Sequence, residues 1–164
     1  MNNREIIAAR ENFVDLVEQT GQVSPDGNIL SVARFNRVLE PRRLTEMARA
    51  MAASLEKSGI IFDSQITSIA VAEFSGDGLA TVFAIETGLP VVLIKKGPPS
   101  KAITGEVVTG IAHPITRGTE GVPMAVEARH LANLKVIIID DFRATDNTAA
   151  TVAEMVRRAH GLPI

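Results

Sequence analysis

A central, mainly parallel sheet with helices on both faces and an added flap is predicted by three features of the 164-residue sequence. Short runs rich in Ile, Val and Ala occupy residues 66–73, 91–94 and 136–139. Apolar runs this short and continuous fit strands buried on both faces. The first two are joined by a small loop and a helical stretch over about 79–87 that stops at Gly88. Strand, helix, strand with short joins is the βαβ pattern of a parallel sheet, so the fold class is α/β. The third feature is an insertion over about 97–134, too long for a plain connection, which reads as a functional flap or hood.

The elements follow in order. Ile6, Ala9, Phe13, Leu16 and Val17 recur at helical spacing, and Thr20 and Gly21 end a first helix over 4–19. Residues 22–40 are irregular, with a turn at Pro25, Asp26 and Gly27 and an extended run over 28–32. Pro41 suits a first helical position. Leu44, Met47, Ala48, Met51, Ala52 and Leu55 form the apolar stripe of the helix it opens, and Gly59 closes it. Within the insertion, 107–111 and 123–127 read as short strands around a turn at 117–121. A last helix covers about 147–160, with Val152, Met155, Val156 and Ala159 inward. Gly161, Leu162, Pro163 and Ile164 echo Gly88, Leu89, Pro90 and Val91, and read as the opening of a further strand whose remainder is missing. One domain is expected, with residues 1–60 as N-terminal helices and hood and 61–164 as the core.

Composition narrows the function. Hydrophobic residues make up 46% and charged residues 22%, which rules out a disordered chain. A net charge of −2 provides no general drive toward nucleic acid or anionic membranes. No apolar run approaches the roughly 18 residues of a membrane span. The first residues lack a signal-peptide core. The absence of Cys excludes disulfides and thiolate chemistry and fits a reducing, cytoplasmic setting. His113, His130 and His160 have no metal-like spacing. Gly76 and Gly78 are too few for a dinucleotide fingerprint.

The stretch 136–148 carries the chemistry. Val136, Ile137, Ile138 and Ile139 make a central strand with Asp140 and Asp141 at its C-terminal mouth, where open parallel sheets bind ligands. A loop of small and hydroxyl residues then leads into a helix N-terminus, whose free N–H groups and dipole favour an anion. Paired carboxylates beside an anion site suit a phosphorylated sugar with vicinal hydroxyls and a magnesium ion. A charged strand end followed by an Asp/Asn helix cap is the other reading of the same residues, and chain physics leaves both open. Likewise, residues 73–76 can be a plain βα turn, and Lys95 and Lys96 a solvated strand end.

This stretch resembles the signature of the type I phosphoribosyltransferases: an apolar strand, two acids, two further positions and a small-residue loop with hydroxyls. The resemblance covers most of the chain and is strongest toward the bacterial xanthine phosphoribosyltransferases, with adenine phosphoribosyltransferases next. Its other pieces are residues 30–36, Glu40-Pro41, 73–76, 88–92 with Lys95 and Lys96, and His130-Leu131. The resemblance implies transfer of the phosphoribosyl group of phosphoribosyl pyrophosphate to a purine, a 6-oxopurine such as xanthine before adenine. It implies that Asp140 and Asp141 hold the ribose hydroxyls, directly or through magnesium. Ala144, Thr145, Asp146, Asn147 and Thr148 would cradle the 5′-phosphate. Glu73, Phe74, Ser75 and Gly76 would form the pyrophosphate loop, with Lys95, Lys96 and Lys101 neutralising the leaving group. Leu30, Asn36 and Phe142 would meet the purine, and residues 97–130 would be the lid. A homodimer is implied, with Lys101 reaching a neighbouring subunit; nucleic acid and membrane are not expected partners.

One departure is chemical. The family's phosphate loop usually has Gly where this chain has Asp146. A carboxylate about 4 Å from a phosphate costs about 1–4 kcal/mol unless screened, with Arg143 and magnesium as possible counter-charges. A catalytically weak relative that binds nucleotide or phosphoribosyl pyrophosphate as a sensor is therefore the alternative to an enzyme.

Overall fold

A computed structural model describes residues 4, 7, 8, 11, 22–23, 30–31, 41–73, 76–99, 105–113, 120–140 and 147–164. Arg4, Ile7, Ala8 and Glu11 are helical, as expected, and the rest of the predicted first helix lies outside the described residues. Two short strands, β1 (Gln22–Val23) and β2 (Leu30–Ser31), pair antiparallel. The helix that Pro41 opens is α1 (Pro41–Lys57). Leu44 and Ala48 of its predicted stripe are buried, and Met47, Met51, Ala52 and Leu55 pack against the same core. Gly59, at φ +85°, takes the left-handed turn after it.

The βαβ unit follows the predicted pattern. Its first strand is β3 (Thr67–Ala72), its helix α2 (Asp77–Thr87) and its second strand β4 (Val91–Lys96). The helix starts two residues earlier than expected because Gly76 takes the N-cap position, and Ala80 N–H bonds to Gly76 O at 2.9 Å. It ends on Gly88 at φ 71°, whose N–H bonds back to Ala84 O. Next come β5 (Val107–Ala112), β6 (Val122–Glu127), a 3-10 turn at Ala128–His130, β7 (Lys135–Ile139), α3 (Asn147–Arg158) and β8 (Leu162–Pro163).

Six strands form one sheet in the order β5-β6-β4-β3-β7-β8. The β4, β3, β7 and β8 strands are parallel; β6 and β5 join antiparallel at one side. The echo at the C-terminus does open a strand: β8 runs parallel to β7, with Ile164 N–H on Val136 O at 2.9 Å. Every residue of β3 is buried, as expected for a strand covered on both faces. The β4 strand departs from that expectation: Val91 and Val92 are half-buried and Leu93 is 43% exposed. Its pairing with β6 is confined to Lys95↔Ala125 and Lys96↔Met124, so among the described residues its first half has no strand neighbour on that side.

The insertion over 97–134 differs from a free-standing flap. Its two predicted strands are built into the sheet. Val108 and Ala112 of β5, and Met124 and Val126 of β6, share one buried cluster with Ala70, Ile94, Val136, Val152, Met155 and Val156. The physical reason lies in the alternating apolar residues, which bury more surface as sheet edge than they could as a lid. The residues left for a lid, 100–104 and 114–119, lie outside those described. On the opposite face, α1 and α2 cover Ile69, Val71, Ile137 and Ile139. Among the described residues no helix is long and apolar enough to cross a membrane.

Phe83 anchors that second cluster. It is fully buried and meets Phe62 edge to face, with ring centroids 5.9 Å apart and planes at 87°. Phe83→Ala is expected to lower unfolding free energy by about 3–5 kcal/mol, read as a drop in the urea midpoint. A change below about 1 kcal/mol would show that the helical layer does not depend on this ring.

Candidate functional site

The parallel register decides which strand ends meet. Ala72 pairs with Ile94, and Val71 with Ile139. One step further along, Glu73 therefore stands opposite Lys95, while Asp140 stands opposite Ala72, one residue short of them; all three lie at the C-terminal edge of adjacent strands. Three apolar runs give way to charge within one residue of a common line, which is where parallel sheets place ligands.

Glu73 is the most constrained of the row. It is 8% exposed, and its backbone N–H extends the ladder to Ile94 O at 3.1 Å. Its Oε1 is 2.5 Å from Lys95 Nζ, and the Lys96 N–H donates to its Oε2 at 3.4 Å. The cation and the N–H supply partners to polar oxygens that burial has removed from water. The reciprocal effect falls on Lys95. The hydrogen bond to Glu73, then its charge, hold the Lys95 ammonium above its ordinary value of 10.5. Among the described residues, Lys96 makes no ion pair.

Gly76 joins the loop after β3 to the end of β7. A Cβ there would stand 2.8 Å from Val71 Cγ2 and 3.5 Å from both Asp140 Cα and Ile139 O. The missing side chain lets the backbone lie directly against the strand that carries Asp140. Asp140 itself is half-buried.

The structure thus brings Glu73, Gly76, Lys95, Lys96 and Asp140 to one edge. Thr148 is half-buried in the first turn of α3. Asn147 opens that helix, and its side-chain amide donates to His113 O at 3.0 Å. Leu30 lies in β2. Asn36, Phe74, Ser75, Lys101, Asp141, Phe142, Ala144, Thr145 and Asp146 lie outside the described residues. Sequence reasoning missed two features: the engagement of Lys95 by Glu73, and the turning of Asn147 toward β5. Both depend on register and helix placement. A buried Glu beginning a loop beside a Lys at a strand end was the one available hint of the first.

Because the folded state raises Lys95, its contribution is complete below pH 10.5 and is lost as pH climbs past that value through the higher folded one. Wild type is expected to exceed Lys95→Met in urea stability at neutral pH, and the margin to close in the strongly alkaline range. Equal stabilities at pH 7 would mean that Glu73 is held without Lys95.

No protein-family model matches the chain. Sequence relatives do. The xanthine phosphoribosyltransferase of Stutzerimonas stutzeri is 28% identical over 150 residues, covering 91% of this chain and 75% of that protein. The xanthine phosphoribosyltransferase of Bacillus licheniformis is 29% identical over 145 residues, covering 87% and 70%. Among solved structures, adenine phosphoribosyltransferase of Saccharomyces cerevisiae, in complex with an imino-altritol bisphosphate and adenine, superposes with a TM-score of 0.70. It is 18% identical, over 94% of this chain and 85% of that one. The Trypanosoma brucei adenine enzyme, holding AMP, pyrophosphate and ribose-5-phosphate, gives 0.71 at 20% identity, over 94% and 63%. The six-stranded mixed sheet, the helical layers and a likeness to sequence relatives spread over nine-tenths of the chain agree: this chain has the type I phosphoribosyltransferase fold and is similar in sequence to xanthine phosphoribosyltransferases.

Proposed function

We propose that this protein transfers the 5-phosphoribosyl group of phosphoribosyl pyrophosphate to a purine base, with release of pyrophosphate. The observation that carries the reading is the gathering of Lys95, Glu73 and Asp140 at the ends of three adjacent parallel strands, with Gly76 packed against the last. A 6-oxopurine such as xanthine is the favoured acceptor, because the sequence relatives are xanthine phosphoribosyltransferases at 28–29% identity. Adenine comes next.

In the reaction, the bond from ribose C1 to pyrophosphate oxygen breaks and a bond from a purine nitrogen to C1 forms. Positive charge builds on the ribose ring, so catalysis is chiefly positioning, charge placement and exclusion of water. Asp140 and Asp141 would hold the ribose hydroxyls. Residues 144–148 would hold the 5′-phosphate over the start of α3, with backbone N–H groups as donors. Residues 73–76 would carry the pyrophosphate, helped by the Lys96 ammonium, which pairs with no carboxylate among the described residues, and by Lys101 of a second copy in a homodimer.

The family implies magnesium. The two acids offer hard oxygen donors, and no three Asp, Glu or His converge among the described residues. That donor set fits an ion held largely by ligand oxygens and water, with Asp140 and Asp141 as the protein's share. Bound there, it would offset charge on the leaving pyrophosphate.

The decisive assay is pyrophosphate release with phosphoribosyl pyrophosphate, magnesium and each of xanthine, hypoxanthine, guanine and adenine. Turnover is expected with xanthine first. Asp140→Asn is expected to lower kcat/KM about 10²–10³-fold, as loss of one preorganised electrostatic group does. The sensor reading is favoured by one observation, the engagement of Lys95 by Glu73, which withdraws a cation from the leaving group. Binding of a nucleoside monophosphate without turnover on any base would establish it.

Asp146 provides a separate test. If its carboxylate opposes the phosphate, Asp146→Gly tightens nucleoside monophosphate binding by about tenfold, equivalent to about 1.4 kcal/mol in calorimetry. Unchanged or weaker binding would show the charge to be screened or turned away.

A further inference from the structure

The edge of the sheet beside α3 is closed by side chains. The register of the β5–β6 hairpin pairs residue 107 with 127, and Ala128 N–H bonds to Glu106 O at 2.9 Å. Even positions of β5 therefore bond within the hairpin, and odd positions turn their peptide groups outward. An edge of this kind is normally open to another strand. Here α3 covers it. Arg158 Nη1 donates to Thr109 O at 2.7 Å, and Asn147 Nδ2 donates to His113 O at 3.0 Å. Between them, Thr151 Oγ1 lies 3.4 Å from Ile111 O, although its proton goes chiefly to Asn147 O at 2.7 Å.

The geometry requires the helix to run antiparallel to the strand. Residues 147 to 158 span about 16 Å of helix, and 109 to 113 about 13 Å of strand, a mismatch that the long Arg158 side chain absorbs. Gly110 permits the approach: a Cβ there would stand 2.7 Å from Met155 Sδ and 2.8 Å from Thr151 Cγ2.

An Asn in a first helical turn ordinarily serves that helix's own N–H groups. The Asn147 amide donates across to another element instead. We propose that Asn147 is a positioning residue: by holding the end of β5 against the first turn of α3, it fixes the direction in which that turn meets the phosphate of a ribose 5-phosphate group. The inference rests on the phosphoribosyl reading above and adds a residue that acts through the helix rather than on the ligand.

Ribose 5-phosphate is the probe, with Kd read by calorimetry and amide hydrogen exchange along β5 read in the free protein. Asn147→Leu keeps the shape and removes the donor. It is expected to speed exchange over 108–112 and to raise Kd about fivefold, the equivalent of about 1 kcal/mol for one net hydrogen bond. Asn147→Ser restores a donor and should recover part of both effects. Gly110→Ala, remote from the ligand, should push β5 off α3 and weaken binding in the same way; if it does not fold, the Leu and Ser pair decides. Weaker binding in Asn147→Leu with unaltered exchange would overturn the proposal in favour of direct ligand contact. Faster exchange with unaltered Kd would leave the bond purely structural and overturn it as well. If wild type itself does not bind ribose 5-phosphate, the phosphoribosyl reading fails and takes the inference with it; normal wild-type binding with an indifferent Asn147→Leu removes only the inference.

Discussion

The register of three parallel strands is the constraint from which the rest of the structure follows. With Ala72 opposite Ile94 and Val71 opposite Ile139, the apolar parts of β3, β4 and β7 end within one residue of a common line. A slip of one residue in either pairing would exchange the two faces of a strand, and burial on both sides makes that costly. The same register that packs Ile69 and Ile94 into opposite cores therefore sets Glu73 opposite Lys95 at the edge, with Asp140 one residue short of them. The site is a by-product of packing in position, though not in chemistry.

Around that line the molecule closes its core by unlike means on the two faces. On one face α1 and α2 lie over β3 and β7. On the other, the β5–β6 hairpin brings its apolar residues to the same cluster as α3. The helix thus touches β5 at one margin of the sheet and β8 at the other, and completes an enclosure that strands alone leave open. Gly110 and the three donors on α3 mark the seam. Because the helix begins within the stretch proposed to hold the 5′-phosphate, the seam and that candidate site share a mechanical element.

Charge at the site is balanced locally. Glu73 is buried, and Lys95 meets it from a side chain that remains mostly in water. Such a pair contributes order more than net stability, since desolvation of the carboxylate offsets much of the attraction. It also divides two adjacent lysines into unlike roles: the Lys95 ammonium is engaged, and that of Lys96 makes no ion pair among the described residues.

Much of this was legible in the chain. The β-branched runs, the helix stop at Gly88 and the start at Pro41 are local signals, set by sterics and burial within a few residues, and they reappear in β3, α2, β4, β7 and α1. The twin acids at 140–141 marked the mouth for the same reason: polar residues at a strand's end need no partner from afar to be noticed. What the chain alone did not reveal is pairwise and long-range. Whether residues 107–112 and 122–127 stand off as a lid or join the sheet depends on what their apolar faces meet. Whether Lys95 is available, and whether Asn147 turns to a ligand or to His113, depends on neighbours 22 and 34 positions away. Periodicity along one strand determined which elements form; only tertiary structure decided which side chains answer one another, because hydrogen bonds and ion pairs act over about 3 Å, a distance that sequence separation does not encode.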